Sequence, residues 1–557
     1  MLKLLVFSLF IAIGFSHGED SGEKSLPLNI APSFAGTYGE LRSGRFHAGL
    51  DFRVGGVVGE PIYSIDEGYI SRITVSSTGY GNGLYVTHPD GTTSIYGHMH
   101  EFAPEIAGLV KERQYANKSF SVNIALGSGD LPVERGQYLG TVGNSGSSAA
   151  PHLHFEVRNA DGSAPVNVIS AGYFEHKDEV PPVIQRVNFY SYEDSTGLVQ
   201  SELIKSFKGG ASNVLTVGDK FYVAVDAHDR QYGTPGKLGI EAYEFFIDGE
   251  SFYRFELGEY TYKEQETFNS LIDYRERVRS GNVLVKSLVD PGNGFKGKIT
   301  SANNGVVILD DNDVHKVKVV VEDLAGNKKV ANFKVKRGGL QAGDTLKYDK
   351  GYPWFAPYAY VGNGIRLSLP VMSLFRSESI KIDTLDVEGD FYSKVWRIHT
   401  PEVPLKNVGK IELEVRNLPD SLVEKAFLGY LLPNGRISYC GGQYSEGVMK
   451  GRLSTFGDYC VSVDTIAPQI KARFSSPRHV QKSGQLSFTI RDNVSGIGSF
   501  RAEIDGEWVL AQYDRKYNKL WIVLDPEVVS KGCSHELVLK VEDNRNNIST
   551  FKYKFKW

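Results

Sequence analysis

The 557-residue sequence has little cysteine, no excess of positive charge and few long apolar runs. Three cysteines are too few for a disulfide scaffold in a chain of this length. A formal net charge of −4 excludes the basic face with which proteins bind nucleic acid. Beyond the first residues, no apolar run is long enough to cross a membrane as a helix.

The single apolar run, residues 4–15, follows Lys3 and precedes small residues, as in a secretory signal peptide. At about a dozen residues it is short for a membrane span. We expect residues 1–18 to be removed on export, which leaves a periplasmic or cell-surface protein without a transmembrane segment. An N-terminal anchor or a buried strand is the alternative.

Two of the cysteines, Cys440 and Cys460, fall within one predicted module. A bridge between them would close a loop of about 20 residues and stabilise the fold by roughly 3 kcal/mol. Two buried free thiols are the alternative, and Cys533 is unpaired in either case.

Short alternating segments that end in Gly, Asn or Asp predict a mainly β protein with several domains. The length alone suggests roughly three to five domains. The boundaries read from the sequence are a polar lead-in at 19–44, a compact β domain at 45–170 with an inserted lobe at 101–135, and three β-sandwich modules at 178–337, 345–463 and 465–557.

The first and third of these modules share an internal repeat. Gly239 and Gly496 each begin a segment that reaches Ile-Asp-Gly-Glu at the same spacing, and His315 and His535 each lie six residues before the valine of Val-Glu-Asp. The Asp-Gly turns between alternating strands favour Ig-like sandwiches. The repeated histidines are interpreted as packing residues, and the aspartates that follow, Asp323 and Asp543, as turn residues or weak calcium ligands.

The chemistry is expected in the first domain, where "PHLHFEV" contains His152 and His154. Alternate residues of a strand face the same side, so these two side chains share a face. In "RFHAGLD", His47 and Asp51 are an even number of residues apart and share a face if extended. A catalytic zinc needs three N or O ligands and an open position, and these segments offer two histidines and one carboxylate, with one or both of His152 and His154 as ligands.

A third segment, "SIYGHMH", adds His98 and His100 at the end of a predicted strand. The sequence has no His-Glu-x-x-His helix, so no glutamate is placed to act as the base. The histidines that do not bind the metal would carry protons, since imidazole titrates near neutral pH.

Taken together, these segments resemble the lysostaphin/LytM-type zinc endopeptidases. The resemblance spans residues 45–160 and includes "GYGNGLYVTHPDGTTSIYGHM" and "GQYLGTVGNSGSSAAPHLHFEVR". It implies the duplicated hybrid motif fold, an antiparallel β-sheet groove, bound Zn²⁺, and cleavage of peptide bonds in peptidoglycan.

The resemblance also implies roles for individual residues. His47, Asp51 and His154 would bind zinc. His152 would be the general base toward the metal-bound water, and His98 would orient that water or stabilise the oxyanion.

The neighbouring positions carry weaker expectations. Glu156 would either support a zinc ligand or lie on the surface. His88 and His100 match no family position and are expected to be solvent-exposed. The glycines and serines of residues 143–147 would shape the loop before the catalytic strand.

Two segments depart from the family pattern. The lobe at 101–135 is longer than usual and would narrow the cleft or recognise substrate. The lead-in at 19–44 would lie across the groove and hold the enzyme latent.

The favoured function is a zinc metalloendopeptidase that cleaves stem-peptide cross-links of peptidoglycan during cell-wall remodelling. One alternative is a non-catalytic envelope protein that binds peptidoglycan or activates an amidase. Another is an adhesive or structural β protein.

Overall fold

The computed structural model describes residues 24–174, 177–195, 198–231, 236–339, 351–474 and 477–557. The predicted signal segment therefore lies outside the described residues. The mainly β class is confirmed, with an N-terminal β-sheet domain followed by further β-sheet modules. Within these ranges, no helix has the length and apolarity needed to cross a membrane.

The N-terminal domain consists of 14 strands and one helix. Its elements are β1 Phe34–Gly36, β2 Leu41–Arg42, β3 Arg45–Phe46, β4 Leu50–Arg53, β5 Pro61–Tyr63, β6 Gly68–Val75, β7 Gly83–Thr87, β8 Thr93–Gly97, β9 Met99–Phe102, α1 Pro104–Asn117, β10 Val122–Ala125, β11 Pro132–Val133, β12 Tyr138–Val142, β13 His152–Arg158 and β14 Pro165–Val166.

The main sheet of this domain has the order β1-β4-β13-β8-β7-β6-β10, and β5-β12-β9 form a smaller sheet. The strand with the His-x-His pair, β13, is central, because it pairs with β4 on one side and β8 on the other. The inserted lobe adds α1 and places β10 and β11 along β6.

The lead-in differs from the polar segment expected from the sequence. Its strand β1 pairs with β4, and Leu28, Phe34 and Tyr38 are buried. Leu28 and Phe34 join the core of the N-terminal domain, whereas Tyr38 packs into the core of the next module. The lead-in is therefore an integral part of the fold, because it supplies apolar side chains to two cores.

The second region has two sheets over one core, with strand orders β18-β15-β20-β23 and β19-β27-β26-β21-β22-β24. Its elements are β15 Val183–Ser191, β16 Glu193–Ser195, β17 Leu198–Gln200, β18 Leu203–Phe207, β19 Val214–Val217, β20 Lys220–His228, β21 Ala242–Ile247, β22 Glu250–Glu256, α2 Tyr262–Gln265, α3 Tyr274–Ser280, β23 Val285–Lys286, β24 Ile299–Ser301, β25 Val307–Ile308, β26 Val314–Glu322 and β27 Lys328–Arg337.

The third region pairs the sheets β28-β29-β32-β36-β35 and β30-β31-β37-β33-β34. Cys440 and Cys460 lie here as free thiols, and the exposed Cys533 is also free. The strands are β28 Tyr358–Gly362, β29 Ile365–Leu369, β30 Ile382–Leu385, β31 Val395–Ile398, β32 Gly409–Glu414, β33 Ala426–Leu431, β34 Ile437–Tyr439, β35 Gln443–Ser445, β36 Val448–Leu453 and β37 Gly457–Val463.

The last region pairs the sheets β38-β39-β43-β42 and β41-β40-β44-β45. Side chains of β44 alternate between buried and exposed positions, as expected for a strand with one face on a core. The elements are β38 Gln469–Ala472, α4 Pro477–Ser483, β39 Gln485–Arg491, β40 Ile497–Ile504, β41 Glu507–Val509, β42 Ala511–Asp514, β43 Lys519–Val523, β44 Ser534–Asp543 and β45 Ile548–Lys556.

The internal repeat has the same local structure in both copies. His315 Nδ1 lies 2.7 Å from Asp248, and His535 Nδ1 lies 2.6 Å from Asp505. Both aspartates have positive φ and precede a glycine in a tight hairpin turn. Each repeated histidine therefore stabilises a hairpin turn through its contact with the turn aspartate. This structural role agrees with the interpretation of these histidines as packing residues.

Candidate metal centre

Strand pairing brings two of the candidate ligands, Asp51 and His154, together. Asp51 on β4 is the cross-strand partner of His154 on β13, and Gly97 on β8 faces His154 from the other side. A Cβ at Gly97 would lie 3.3 Å from His154 Cβ and 3.1 Å from the Tyr80 ring, so any other residue here would press on the imidazole and the tyrosine. His47 follows β3 and completes the group.

Three atoms of this group form a tight triangle. His47 Nε2 lies 3.0 Å from His154 Nδ1, and Asp51 Oδ1 lies 2.9 Å from His154 Nδ1 and 3.1 Å from His47 Nε2. The three residues are buried, with exposures of 3 to 5%. The structure thus brings together the three residues to which the resemblance assigns zinc.

The hydrogen bonds on the far sides of the rings fix which nitrogens face the triangle. His47 Nδ1 donates to the carbonyl oxygen of Thr37 at 3.0 Å, and His154 Nε2 donates to Glu156 at 3.3 Å. His47 Nε2, His154 Nδ1 and a carboxylate oxygen are left to share one point. Two imidazole nitrogens and one carboxylate oxygen are a donor set that suits zinc, so the residues present fit the metal that the resemblance implies.

The pKa shifts of His47, Asp51 and His154 indicate that the triangle favours a bound positive charge. Burial lowers the pKa of His47 to about 4. Burial also disfavours the charged form of His154, but hydrogen bonds to Asp51 and Glu156 outweigh it and raise the pKa to about 9. Asp51, despite its burial, has a pKa held well below its usual range by the three histidines. A positive charge at the centre of the triangle is therefore stabilised.

Two further histidines lie beside the triangle. His152 Nε2 is 3.4 Å from Asp51 Oδ1, and the His98 and His152 rings are 4.9 Å apart. His98 Nδ1 donates to the Ser145 carbonyl at 2.9 Å, and His152 Nδ1 donates to the Ala150 carbonyl at 2.8 Å. Each ring therefore keeps Nε2 as a proton acceptor. Burial and the neighbouring histidines lower the pKa of His98 to about 3, so this ring is neutral.

Of the two expectations for Glu156, the structure supports a contact with a candidate ligand. The side chain is fully buried and accepts hydrogen bonds from His154, from the Tyr80 hydroxyl at 2.6 Å and from Arg158 Nε at 2.7 Å. The Tyr262 hydroxyl, which belongs to the second region, also donates to it. Burial raises the pKa of Glu156, but these contacts outweigh it and lower the pKa to about 2, so the carboxylate stays ionised and orients His154.

The lead-in contributes a residue that the sequence did not single out. Arg42 Nη2 lies 2.5 Å from Asp51 Oδ2 and 3.0 Å from Glu40. The arginine thus holds the carboxylate oxygen opposite to the one in the triangle. The spacing within "GELRSGRFHAGLD" gives no signal for this contact, because a hairpin turn brings Arg42 back to the sheet.

His88 and His100, the other two histidines of the domain, differ in burial. His100 is exposed, as expected. The expectation for His88 was wrong, because this side chain is buried, with Nδ1 2.8 Å from the Glu67 carbonyl oxygen and Nε2 2.8 Å from the Ser94 hydroxyl. Its polar atoms are satisfied inside the protein, which allows it to be buried.

The loop before β13 is held from two sides. The Ser145 and Ser147 hydroxyls accept hydrogen bonds from the backbone of Asn82 and Gly79. From the last region, Lys516 Nζ donates to the Asn144 carbonyl. Gly146 has a positive φ, and a Cβ there would clash with the backbone nitrogen of Gly81, so glycine and serine residues both shape the loop, as expected.

The inserted lobe also contacts the last region. Lys111 on α1 lies 2.5 Å from Asp525 and 2.7 Å from Glu527, and the Tyr115 ring lies 5.0 Å from the Trp508 ring. These side chains engage the distal module, so this face of the lobe makes a contact within the chain. Its predicted role in narrowing the cleft or recognising substrate stays a prediction.

Comparison with known proteins gives the family of this site. The sequence pattern of peptidase family M23 matches residues 45–168. These residues form an M23 peptidase domain. This match confirms, for these residues, the resemblance stated from the sequence. The pattern of a Zu5-like domain matches residues 351–464, in the third region.

Among curated relatives, the DD-carboxypeptidase/endopeptidase Mpg of Neisseria meningitidis serogroup B is 28% identical over 130 residues, which are 23% of this chain and 24% of that protein. The cell division protein DipM of Caulobacter vibrioides is 28% identical over 140 residues, 25% of this chain and 19% of that one. The chain thus matches about a quarter or less of the length of these relatives. The solved catalytic domain of lysostaphin from Staphylococcus simulans is 24% identical, with a TM-score of 0.19 and coverage of 25% of this chain and 91% of that one.

Proposed function

We propose that the chain is a zinc metalloendopeptidase that hydrolyses stem-peptide cross-links of peptidoglycan during cell-wall remodelling. The observation that carries this proposal is the buried His47–Asp51–His154 triangle with two further histidines beside it. The M23 assignment and the endopeptidase named among the relatives support it. Export to the periplasm or cell surface is part of the same proposal.

His47 Nε2, Asp51 Oδ1 and His154 Nδ1 are proposed to hold the zinc. When bound, zinc acidifies a water molecule and polarises the scissile carbonyl. Glu156, with its tyrosine and arginine partners, keeps His154 in the tautomer that presents Nδ1. Arg42 fixes the second oxygen of Asp51 so that Oδ1 faces the histidines.

His152 is proposed as the general base. Its Nδ1 proton is engaged by Ala150, so Nε2 accepts the proton of the attacking water and returns it to the departing amine. His98 is neutral and offers an acceptor at Nε2, so it orients the water. In this tautomer His98 has no Nε2 proton to donate to an oxyanion, which favours the first of the two roles expected for it.

The test is digestion of purified sacculi by zinc-loaded chain 19–557, with mass spectrometry of the products. We expect cross-linked dimers to become monomers, and we expect a chelator or His154→Ala to stop the reaction. His100→Ala is the matched control, because this histidine is exposed and lies off the site. Zinc-loaded protein that pellets with sacculi but releases nothing would contradict the proposal and favour a binding or activating protein.

A further inference from the structure

The second region has a cluster of three aspartates far in sequence from the peptidase site. Asp178 lies in the segment that enters the region, Asp229 directly follows β20, and Asp323 is in the turn between β26 and β27. One carboxylate oxygen of each lies within 4.8 Å of the others. Three separate parts of the fold thus direct negative charge to one point.

The last region repeats this arrangement with Asp464, Asp492 and Asp543. Asp464 precedes Ile470 by the same six residues that separate Asp178 from Ile184, and Asp492 directly follows β39. Asp543, like Asp323, is the aspartate of Val-Glu-Asp.

A hydrogen bond between the entering segment and the turn also occurs in both modules. The Asn327 amide donates to the Asp178 carbonyl at 3.0 Å, and the Asn547 amide donates to the Asp464 carbonyl at 2.8 Å. Each asparagine lies four residues after the turn aspartate. The aspartate geometry is therefore a shared feature of two modules whose loops otherwise differ.

Several oxygens of the first cluster are buried without a donor. Among the described residues, none donates a hydrogen bond to Asp178 Oδ2, Asp229 Oδ1 or Asp323 Oδ2. Asp229 and Asp323 are only 5% and 2% exposed. Burying an ionised carboxylate oxygen without a partner is costly, so such groups are normally paired or bind a metal.

Positive side chains do not compensate this charge. Among the described residues, the side-chain charges that act most strongly on Asp229 and Asp323 are those of the neighbouring aspartates, with no lysine or arginine among them. Burial, together with the charges of Asp323 and Asp178, raises the pKa of Asp229 to about 7. In the last region, Asp492 Oδ1 and the Ser495 hydroxyl are buried without a partner among the described residues. Both oxygens of Asp464 and of Asp543 accept hydrogen bonds from N–H groups, so fewer oxygens are unpaired in this cluster.

We propose that each aspartate cluster binds one calcium ion. Carboxylate oxygens with no nitrogen or sulfur donor are the ligands of a hard cation. Two oxygens that share a calcium ion at roughly 2.4 Å can be at most about 4.8 Å apart, and both clusters meet this limit. Water and nearby backbone carbonyls would complete the coordination shell.

The placement of the clusters indicates what calcium does. Asp178 and Asp464 belong to the segments that enter the two modules, whereas the other ligands belong to the modules themselves. An ion held by all three fastens each entering segment to its module. Calcium thus stabilises both modules and fixes their attachment to the preceding region, independently of the peptidase site.

The test is calcium titration of the zinc-loaded full chain, followed by calorimetry of binding and by thermal unfolding. We expect two calcium ions per chain, with dissociation constants on the order of 10⁻⁴ to 10⁻³ M, as in extracellular modules, and a higher melting temperature with calcium. Asp229→Asn and Asp492→Asn should each remove one ion, and the double variant both. Asp390→Asn, at an exposed site in the third region, should remove none.

A second readout separates lost binding from lost folding. Without calcium, each asparagine variant should melt no lower than the unchanged chain, because one of three mutually repelling charges is gone. A variant that melts lower without calcium would show that the aspartate is a structural hydrogen-bonding group, and would contradict the proposal. Absence of binding in the unchanged chain, or two ions retained in the double variant, would also overturn it.

Discussion

The triangle of His47, Asp51 and His154 and the two aspartate clusters each place donor atoms around one point. They differ in the donor elements and in how far neighbouring groups hydrogen-bond to the donor residues. In the triangle, the far side of each donor group is engaged: Thr37 holds His47, Glu156 holds His154 and Arg42 holds Asp51. In the clusters, four carboxylate oxygens accept no hydrogen bond from the described residues, namely Asp178 Oδ2, Asp229 Oδ1, Asp323 Oδ2 and Asp492 Oδ1. Under the two proposals, one chain distinguishes two metals by its donor atoms, because imidazole nitrogens favour zinc and carboxylate oxygens favour calcium.

The largest effect should come from removing a donor of the triangle. His154→Ala removes one of the three proposed zinc ligands, so we expect loss of zinc and an activity loss beyond the roughly 10⁴-fold that a missing proton carrier costs at most. Metal analysis and sacculus digestion measure this, and calcium binding should not change. Zinc retained at full occupancy in His154→Ala would show that His154 is not a zinc ligand.

The next effect concerns a histidine that is proposed to act beside the metal without binding it. His152→Ala should lower kcat by about 10²- to 10⁴-fold, because the general base is gone, while zinc content stays constant. Rates on a cross-linked muropeptide and zinc content per chain give the two readouts, with His100→Ala as the control. Zinc loss in step with activity would instead make His152 a ligand.

A smaller effect is expected at Glu156, which only supports a ligand. Glu156→Gln removes the charge that holds the His154 tautomer, so zinc affinity should fall by about 10- to 100-fold. Competition with a chromogenic chelator measures the affinity. Glu101→Gln is the matched control, because that side chain is 74% exposed. Equal affinities in both variants would contradict the supporting role.

The smallest effect is expected at Arg42, the contact from the lead-in. Arg42→Ala frees one oxygen of Asp51, and we expect zinc affinity to fall by about 10-fold with unchanged activity at saturating zinc. Arg45→Ala, an exposed arginine of the same hairpin, should change neither. An activity that rises in Arg42→Ala would contradict a supporting role and support the hypothesis that the lead-in keeps the enzyme latent.

Local patterns predicted much of the fold and of the site. The alternation of strands and turns predicted the mainly β class, and the even spacing of His152 from His154 and of His47 from Asp51 predicted shared faces. Register then placed Asp51 opposite His154. These features depend on neighbours along one strand or across one pair of strands, which sequence patterns record.

The features that sequence did not predict depend on contacts between distant segments. Tyr262 reaches Glu156 from another region, and Arg42 reaches Asp51 through a hairpin turn. Asp323 was noted because its turn is local, but Asp178 and Asp229 join it only through the topology of the module. No spacing within one segment records such contacts.

Equilibrium dialysis of the full chain against zinc and calcium together, with the bound metals counted by mass spectrometry, tests the zinc and calcium assignments in one experiment. We expect one zinc and two calcium ions per chain, with zinc alone lost in His154→Ala and calcium alone lost in the Asp229→Asn/Asp492→Asn double variant. Loss of both metals in either variant, or loss of neither, would contradict these metal assignments.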